Sequence, residues 1–138
     1  MIDHTGIKVR DIARSASFYR AALAPLGYRL LLEFPAEVTG SDHVAGFGEG
    51  ARCDFWIAQG EPNRPPLHVA FRVAERERVD RFHAAALAAG GRDNGPPGLR
   101  PYYHADYYGA FVLDPDGHNI EVVCHEPAAA PPGRPAAG

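Results

Sequence analysis

The stretch His4–Gly27, HTGIKVRDIARSASFYRAALAPLG, returns 64 residues later as His68–Gly91, HVAFRVAERERVDRFHAAALAAGG. Nine of the 24 positions are identical without a gap: His4/His68, Val9/Val73, Arg14/Arg78, Phe18/Phe82, Gly27/Gly91 and the run Ala-Ala-Leu-Ala at 21–24 and 85–88. A fixed-offset match of this length marks a duplicated supersecondary unit. Each copy opens as a strand, since residues 2–10 and 67–74 alternate or run apolar at strand length. Each continues as a helix. Phe18, Ala22 and Leu23 share a helical face in the first copy, as Val79, Phe82, Ala86 and Leu87 do in the second. Asp11 is placed to accept from the free N–H groups that open the first helix, and Gly27 and Gly90-Gly91 give the chain the freedom to stop both.

Strand-like segments follow each helix: YRLLLEF, VAGFGEG and RCDFWIAQ in the first copy, GGRDNG, AFVLD and HNIEVVCH in the second. The segment RDNGPPGLRPYYHADYY is so rich in Gly, Pro and Asn that much of it reads as loop. The predicted organisation is α+β, one domain over residues 1–126 made of two βαβββ units, about 1–60 and 67–126, joined by GEPNRPP. Residues 127–138 are Pro, Ala and Gly with hardly any bulky apolar side chain, and are expected to be disordered.

Bulk properties exclude several functions. The net charge is −3 and the pI about 6.1, with no basic stripe to meet nucleic acid. No apolar run approaches the roughly 20 residues of a membrane helix, and MIDHTGIKV has none of the regions of a signal peptide. A cytoplasmic location is expected, with Cys53 and Cys124 kept as reduced thiols.

One residue stands out within FVLDPDGHNIEVV, Phe111–Val123. Glu121 lies among Ile120, Val122 and Val123 in a short β-branched strand, where a carboxylate needs a compensating cation. Two βαβββ units that open on histidine strands, with a glutamate on the last strand after a D-P-D-G turn, resemble the vicinal oxygen chelate superfamily. That superfamily includes glyoxalase I, extradiol dioxygenases and bleomycin-binding proteins. The resemblance implies sheets paired into a curved half-barrel, a concave metal and ligand cleft, and a homodimer. It assigns His4, His68 and Glu121 as ligands of a divalent metal ion. Two imidazoles and a carboxylate suit Fe2+, Mn2+, Zn2+ or Ni2+.

Subtracting the repeat offset from Glu121 gives Ile57, which cannot bind metal; a two-residue gap reaches Gln59, the candidate fourth ligand. Asp54 is expected on the opposite face by strand alternation. The tyrosine that dioxygenases of this superfamily carry before the D-P turn is replaced by Phe111, with Tyr107 or Tyr108 as substitutes. His104 and Tyr108 are the catalytic candidates. Arg100, Tyr103, Tyr107, Phe111 and Trp56 are the substrate-binding ones, Arg100 as a partner for a carboxylate or phosphate.

The resemblance thus implies a metal-dependent enzyme acting on a small molecule with vicinal oxygens, the metal serving as Lewis acid. Oxygenative cleavage, isomerisation and thiol addition all stay open. The rival reading is a metal-free protein that sequesters a drug or metabolite.

Overall fold

Asp11 caps the first helix as its position predicts. Its backbone is extended and its carboxylate accepts the Arg14 N–H at 3.1 Å. The computed structural model describes residues 1–130 and Gly133. Helix α1 (Ile12–Leu23) buries Phe18, Ala22 and Leu23 and runs into a 3-10 turn, Ala24–Leu26. Gly27 ends that turn at φ 84°, a left-handed conformation that suits glycine.

The first unit comprises β1 (Thr5–Val9), α1, β2 (Arg29–Phe34), a short helix α2 (Ala36–Thr39), β3 (Val44–Glu49) and β4 (Arg52–Gln59). The second comprises β5 (His68–Val73), α3 (Arg76–Ala88), β6 (Arg92–Leu99), β7 (Tyr108–Leu113) and β8 (Asn119–Cys124). Each unit folds into one four-stranded mixed sheet, in the orders β1-β4-β3-β2 and β5-β8-β7-β6. The first strand of each lies parallel to the last. The α+β class holds, with both sheets open rather than closed into a barrel.

Two expectations are corrected. The strand expected at GGRDNG runs further into the Gly/Pro-rich segment than its composition suggests: Arg92–Leu99 is a strand that contains Pro96 and Pro97, and residues 100–107 form the loop. Prolines donate no hydrogen bond and are tolerated at a sheet edge. β6 is such an edge, and its pairing with β7 is broken by irregularities on both sides of Gly95. Leu87 is not a core residue either; it is 37 % exposed, while Val79, Phe82 and Ala86 are buried. Residues 127–130 carry no helix or strand, and the rest of the expected tail, apart from Gly133, lies outside the described residues.

One core serves both sheets. Ile7, Val9, Phe55 and Ile57 from the first pack with Phe71, Ile120 and Val122 from the second around α1 and α3. Phe55 meets Phe71 edge-on at 5.3 Å across the two units. The opposite face of each sheet is therefore left without a helix.

The D-P-D-G turn locks the two units together. Asp114 is buried; Oδ1 accepts the Asp116 and His118 N–H groups at 2.9 Å, and Oδ2 accepts the Tyr19 hydroxyl of α1 at 2.6 Å. His118 is fully buried, and its Nδ1 accepts the Leu67 N–H at 2.9 Å. That leaves the proton on Nε2, which donates to the Lys8 carbonyl of β1 at 2.9 Å. Thus one imidazole ties β1 to the residue preceding His68. His118→Ala removes a buried imidazole and leaves the partly buried Leu67 N–H and Lys8 carbonyl without it, and we expect a stability loss of about 2–4 kcal/mol by urea denaturation. A loss near zero would contradict the tie.

Candidate functional site

Alternation along β8 turns Ile120, Val122 and Cys124 toward the helices and Glu121 toward the uncovered face. There Glu121 lies between Ala70 of β5 and Phe111 of β7. Glu121 is only 3 % exposed, so its charge needs donors from the protein. Tyr107 donates its hydroxyl to Oε2. Burial and the Glu121 carboxylate push that hydroxyl well above the ordinary tyrosine range, which keeps it a donor.

His68 supplies the second contact. Its Nδ1 lies 3.0 Å from the Asn119 carbonyl, which can only accept, so Nδ1 carries the proton. Nε2 then points at Glu121 Oε1, 3.2 Å away. A neutral ring in this pose sets a nitrogen lone pair against a carboxylate oxygen. One positive charge between the two atoms completes the geometry, either a second ring proton or a metal ion. An imidazole held through Nδ1–H by a backbone carbonyl, with Nε2 free, is the usual pose of a metal-ligating histidine. His68 and Glu121 therefore fit two arms of a metal site.

Aromatic side chains surround the pair. The Phe111 ring stacks near-parallel on His68 at 6.3 Å, and the Arg100 guanidinium lies 5.5 Å from the Phe111 ring centre. Tyr103 packs on Tyr107 at 4.7 Å. His104 accepts the Asp106 N–H on Nδ1, so its Nε2–H donates to His125 Nδ1 at 2.8 Å. Both imidazoles touch Tyr107. His125 follows Glu121 at strand parity, the one sequence signal that could have placed it here.

Three candidates lie elsewhere. His4 pairs with the Asp3 carboxylate at 2.6 Å and is exposed. Among the described residues no three His, Cys, Asp or Glu side chains converge on one point. Tyr108 faces α3, where it donates to Asp80 at 2.6 Å beneath the Arg76 guanidinium. Trp56 stands on the uncovered face of the first sheet, stacked on Phe34 at 6.4 Å.

The pairing registers correct the repeat arithmetic. Gly6 of β1 lies beside Trp56, and Ala70, its repeat-mate, lies beside Glu121. Gly46 pairs with Trp56 as Phe111 pairs with Glu121. The counterpart of Glu121 is therefore Trp56, not Ile57, because the second unit holds one more residue between its helix and third strand. A side chain at Gly46 would meet the Trp56 ring at 2.7 Å, so the indole occupies the space that Phe111 fills in the second unit. Gln59 is unavailable as a ligand in this arrangement, since its Oε1 accepts the Ile12 N–H of α1. Asp54 falls at a bulge between the pairs Phe47/Phe55 and Gly48/Cys53. One of its oxygens accepts the Tyr28 hydroxyl and the other is buried without a partner.

A family model described as the Glyoxalase/Bleomycin resistance protein/Dioxygenase superfamily matches residues 1–122. The chain belongs to that superfamily. No curated protein matches it. Among solved structures, a glyoxalase/bleomycin resistance protein from Albidiferax ferrireducens T118 is 27% identical, with a TM-score of 0.71 over 88% of this chain and 96% of that one. A mutant of the fosfomycin resistance protein FosX from Listeria monocytogenes, complexed with Mn(II) and 1S,2S-dihydroxypropylphosphonic acid, is 17% identical. Its TM-score is 0.65, covering 89% of this chain and 88% of that one. A mutant of glyoxalase I from Zea mays is 19% identical, with a TM-score of 0.66 over 88% of this chain and 43% of that one. The last two, so distant in sequence, share the fold with this superfamily member.

The separation of Tyr107 from Tyr108 is testable. Burial and the Asp80 carboxylate push the Tyr108 hydroxyl up to about 12. In a superfamily member arranged this way, Asp80→Asn should lower the Tyr108 midpoint in an NMR titration and leave Tyr107 unmoved. A shift at Tyr107 instead would contradict the placement.

Proposed function

We propose that the protein is a divalent-metal-dependent enzyme acting on a small molecule with vicinal oxygens, the metal held by His68, Glu121 and His4. The observation that carries this is the facing of His68 Nε2 and Glu121 Oε1, with the ring turned by the Asn119 carbonyl. Fe2+, Mn2+, Zn2+ and Ni2+ all suit such a donor set, and the FosX relative holds Mn(II) beside a molecule with two hydroxyls. His4 immediately precedes β1 of the other sheet. The proposal therefore includes a homodimer in which β1 of a second copy brings its His4 to this face.

A bound metal supplies Lewis acidity, stabilising negative charge on a substrate oxygen. The rest of the work falls to the chain's own side chains. Tyr107 fixes one Glu121 oxygen by donating to it, which leaves the other oxygen toward His68. Phe111 and Tyr103 wall the face. His104 and His125 form a hydrogen-bonded pair against Tyr107, positioned to move a proton at the rim of the face. Phe111 brings no hydroxyl, so the one at Tyr107 stands in for the tyrosine that dioxygenases place before the turn.

The metal-free binding reading has one observation in its favour: within a single chain only two of the three donors meet. Metal content separates the readings. Protein purified from metal-supplemented medium should carry bound metal, and His68→Ala, Glu121→Gln and His4→Ala should each lower it about tenfold or more. Equal metal in wild type and all three variants would sink the proposed site.

A further inference from the structure

Arg100 is an unusual cation in this chain. Of the arginines without a carboxylate partner among the described residues, it is the one that is not exposed. Its guanidinium is pinned by the backbone instead. Nη1 donates to the Gly98 carbonyl at 2.8 Å and Nη2 to the Pro96 carbonyl at 2.7 Å. Neutral carbonyls orient a cation without cancelling its charge. Two of the five N–H groups are spent in this way, and three remain for an oxyanion.

The surroundings are cut to hold this side chain. A Cβ at Gly95 would lie 3.3 Å from Nη2, and one at Gly98 would lie 3.2 Å from Nη1, both closer than ordinary packing allows. Gly95 also has φ 150°, which disfavours any other residue. The same absent side chain at Gly95 leaves room for the Phe111 ring, 3.0 Å from where its Cβ would be. Phe111 in turn stacks on His68. One phenyl ring therefore adjoins both the guanidinium and the His68–Glu121 pair. Arg72, on the same face of β5 as His68, is by contrast matched with Glu126 at 3.5 Å.

We propose that Arg100 is the anchor for an anionic group, a carboxylate or a phosphonate, on the molecule bound at this face. This rests on reading the face as a substrate site and names its substrate class: a small molecule with an anionic end at Arg100 and its reacting oxygens at His68 and Glu121. Planar donors fixed in advance suit bidentate recognition of such an end.

Anion binding can be read without turnover or metal. NMR titration of the metal-free protein with methylphosphonate and with acetate, and with neutral acetamide as control, should give saturable shifts at Gly95, Gly98 and Phe111. The anions should produce them and acetamide should not; the stronger of the two anions identifies the group. Arg100→Gln should weaken binding about tenfold or more, the value expected for charge-assisted hydrogen bonds. Arg100→Lys, which keeps the charge without the fork, should fall between. Glu121→Gln should still bind the anion even where it has lost metal, so failure of the metal site and of the anion site are distinguishable. No saturable shift in wild type, or equal binding by Arg100→Gln, would overturn the assignment.

Discussion

A carboxylate can be buried in a sheet only if it is given donors, and Glu121 draws its side of the molecule into line for that purpose. Tyr107 answers one oxygen and His68 faces the other. His68 is itself turned by a backbone carbonyl, and the residue before it is held by His118. Because His118 also holds β1, the charge on Glu121 is set within a frame that spans both units. Removing either neighbour would leave a buried charge short of a partner, which costs several kcal/mol. The arrangement asks for one more positive charge between His68 and Glu121, which a second ring proton or the proposed metal ion would supply.

The duplicated fold explains why only one of the two uncovered faces is built this way. Two units of similar sequence diverge by a single residue before their third strands, and that residue sets which side chains stand opposite one another. In the second unit the facing pair is Phe111 and Glu121, and in the first it is Gly46 and Trp56. One face presents a carboxylate and a flat wall, the other an indole over a glycine. The first unit keeps the matching histidine, His4, just ahead of β1, but the strand neighbours of Trp56 are Gly6 and Gly46, not carboxylates. The proposed metal site would therefore take its carboxylate from one unit and a histidine from each.

Much of this was legible from residues alone. The repeat of His4–Gly27 in His68–Gly91 gave the two units, and Glu121 in an apolar strand pointed to a compensated carboxylate. The cap at Asp11 and the stop at Gly27 lay where local chemistry requires them. What the sequence did not disclose has common causes. Propensity ended β6 too early because it could not know the strand would lie at an edge, where Pro96 and Pro97 cost no ladder bond. The ungapped offset gave Ile57 because a one-residue insertion reverses every facing along a strand. Neighbouring Tyr107 and Tyr108 were interchangeable on paper, and only the register of β7 sends one hydroxyl to Glu121 and the other to α3. Arg100 was already a candidate partner for an anion, but only the structure shows the glycines that cradle its guanidinium.

The central claim is that a metal ion belongs between His68 Nε2 and Glu121 Oε1. The most direct measurement is the anomalous difference map of a crystal grown with Mn(II). A single strong peak within bonding distance of both atoms is expected, with the ring still held through Nδ1 by the Asn119 carbonyl. A map with no peak there, and the two side chains closed on each other as an ion pair, would contradict it.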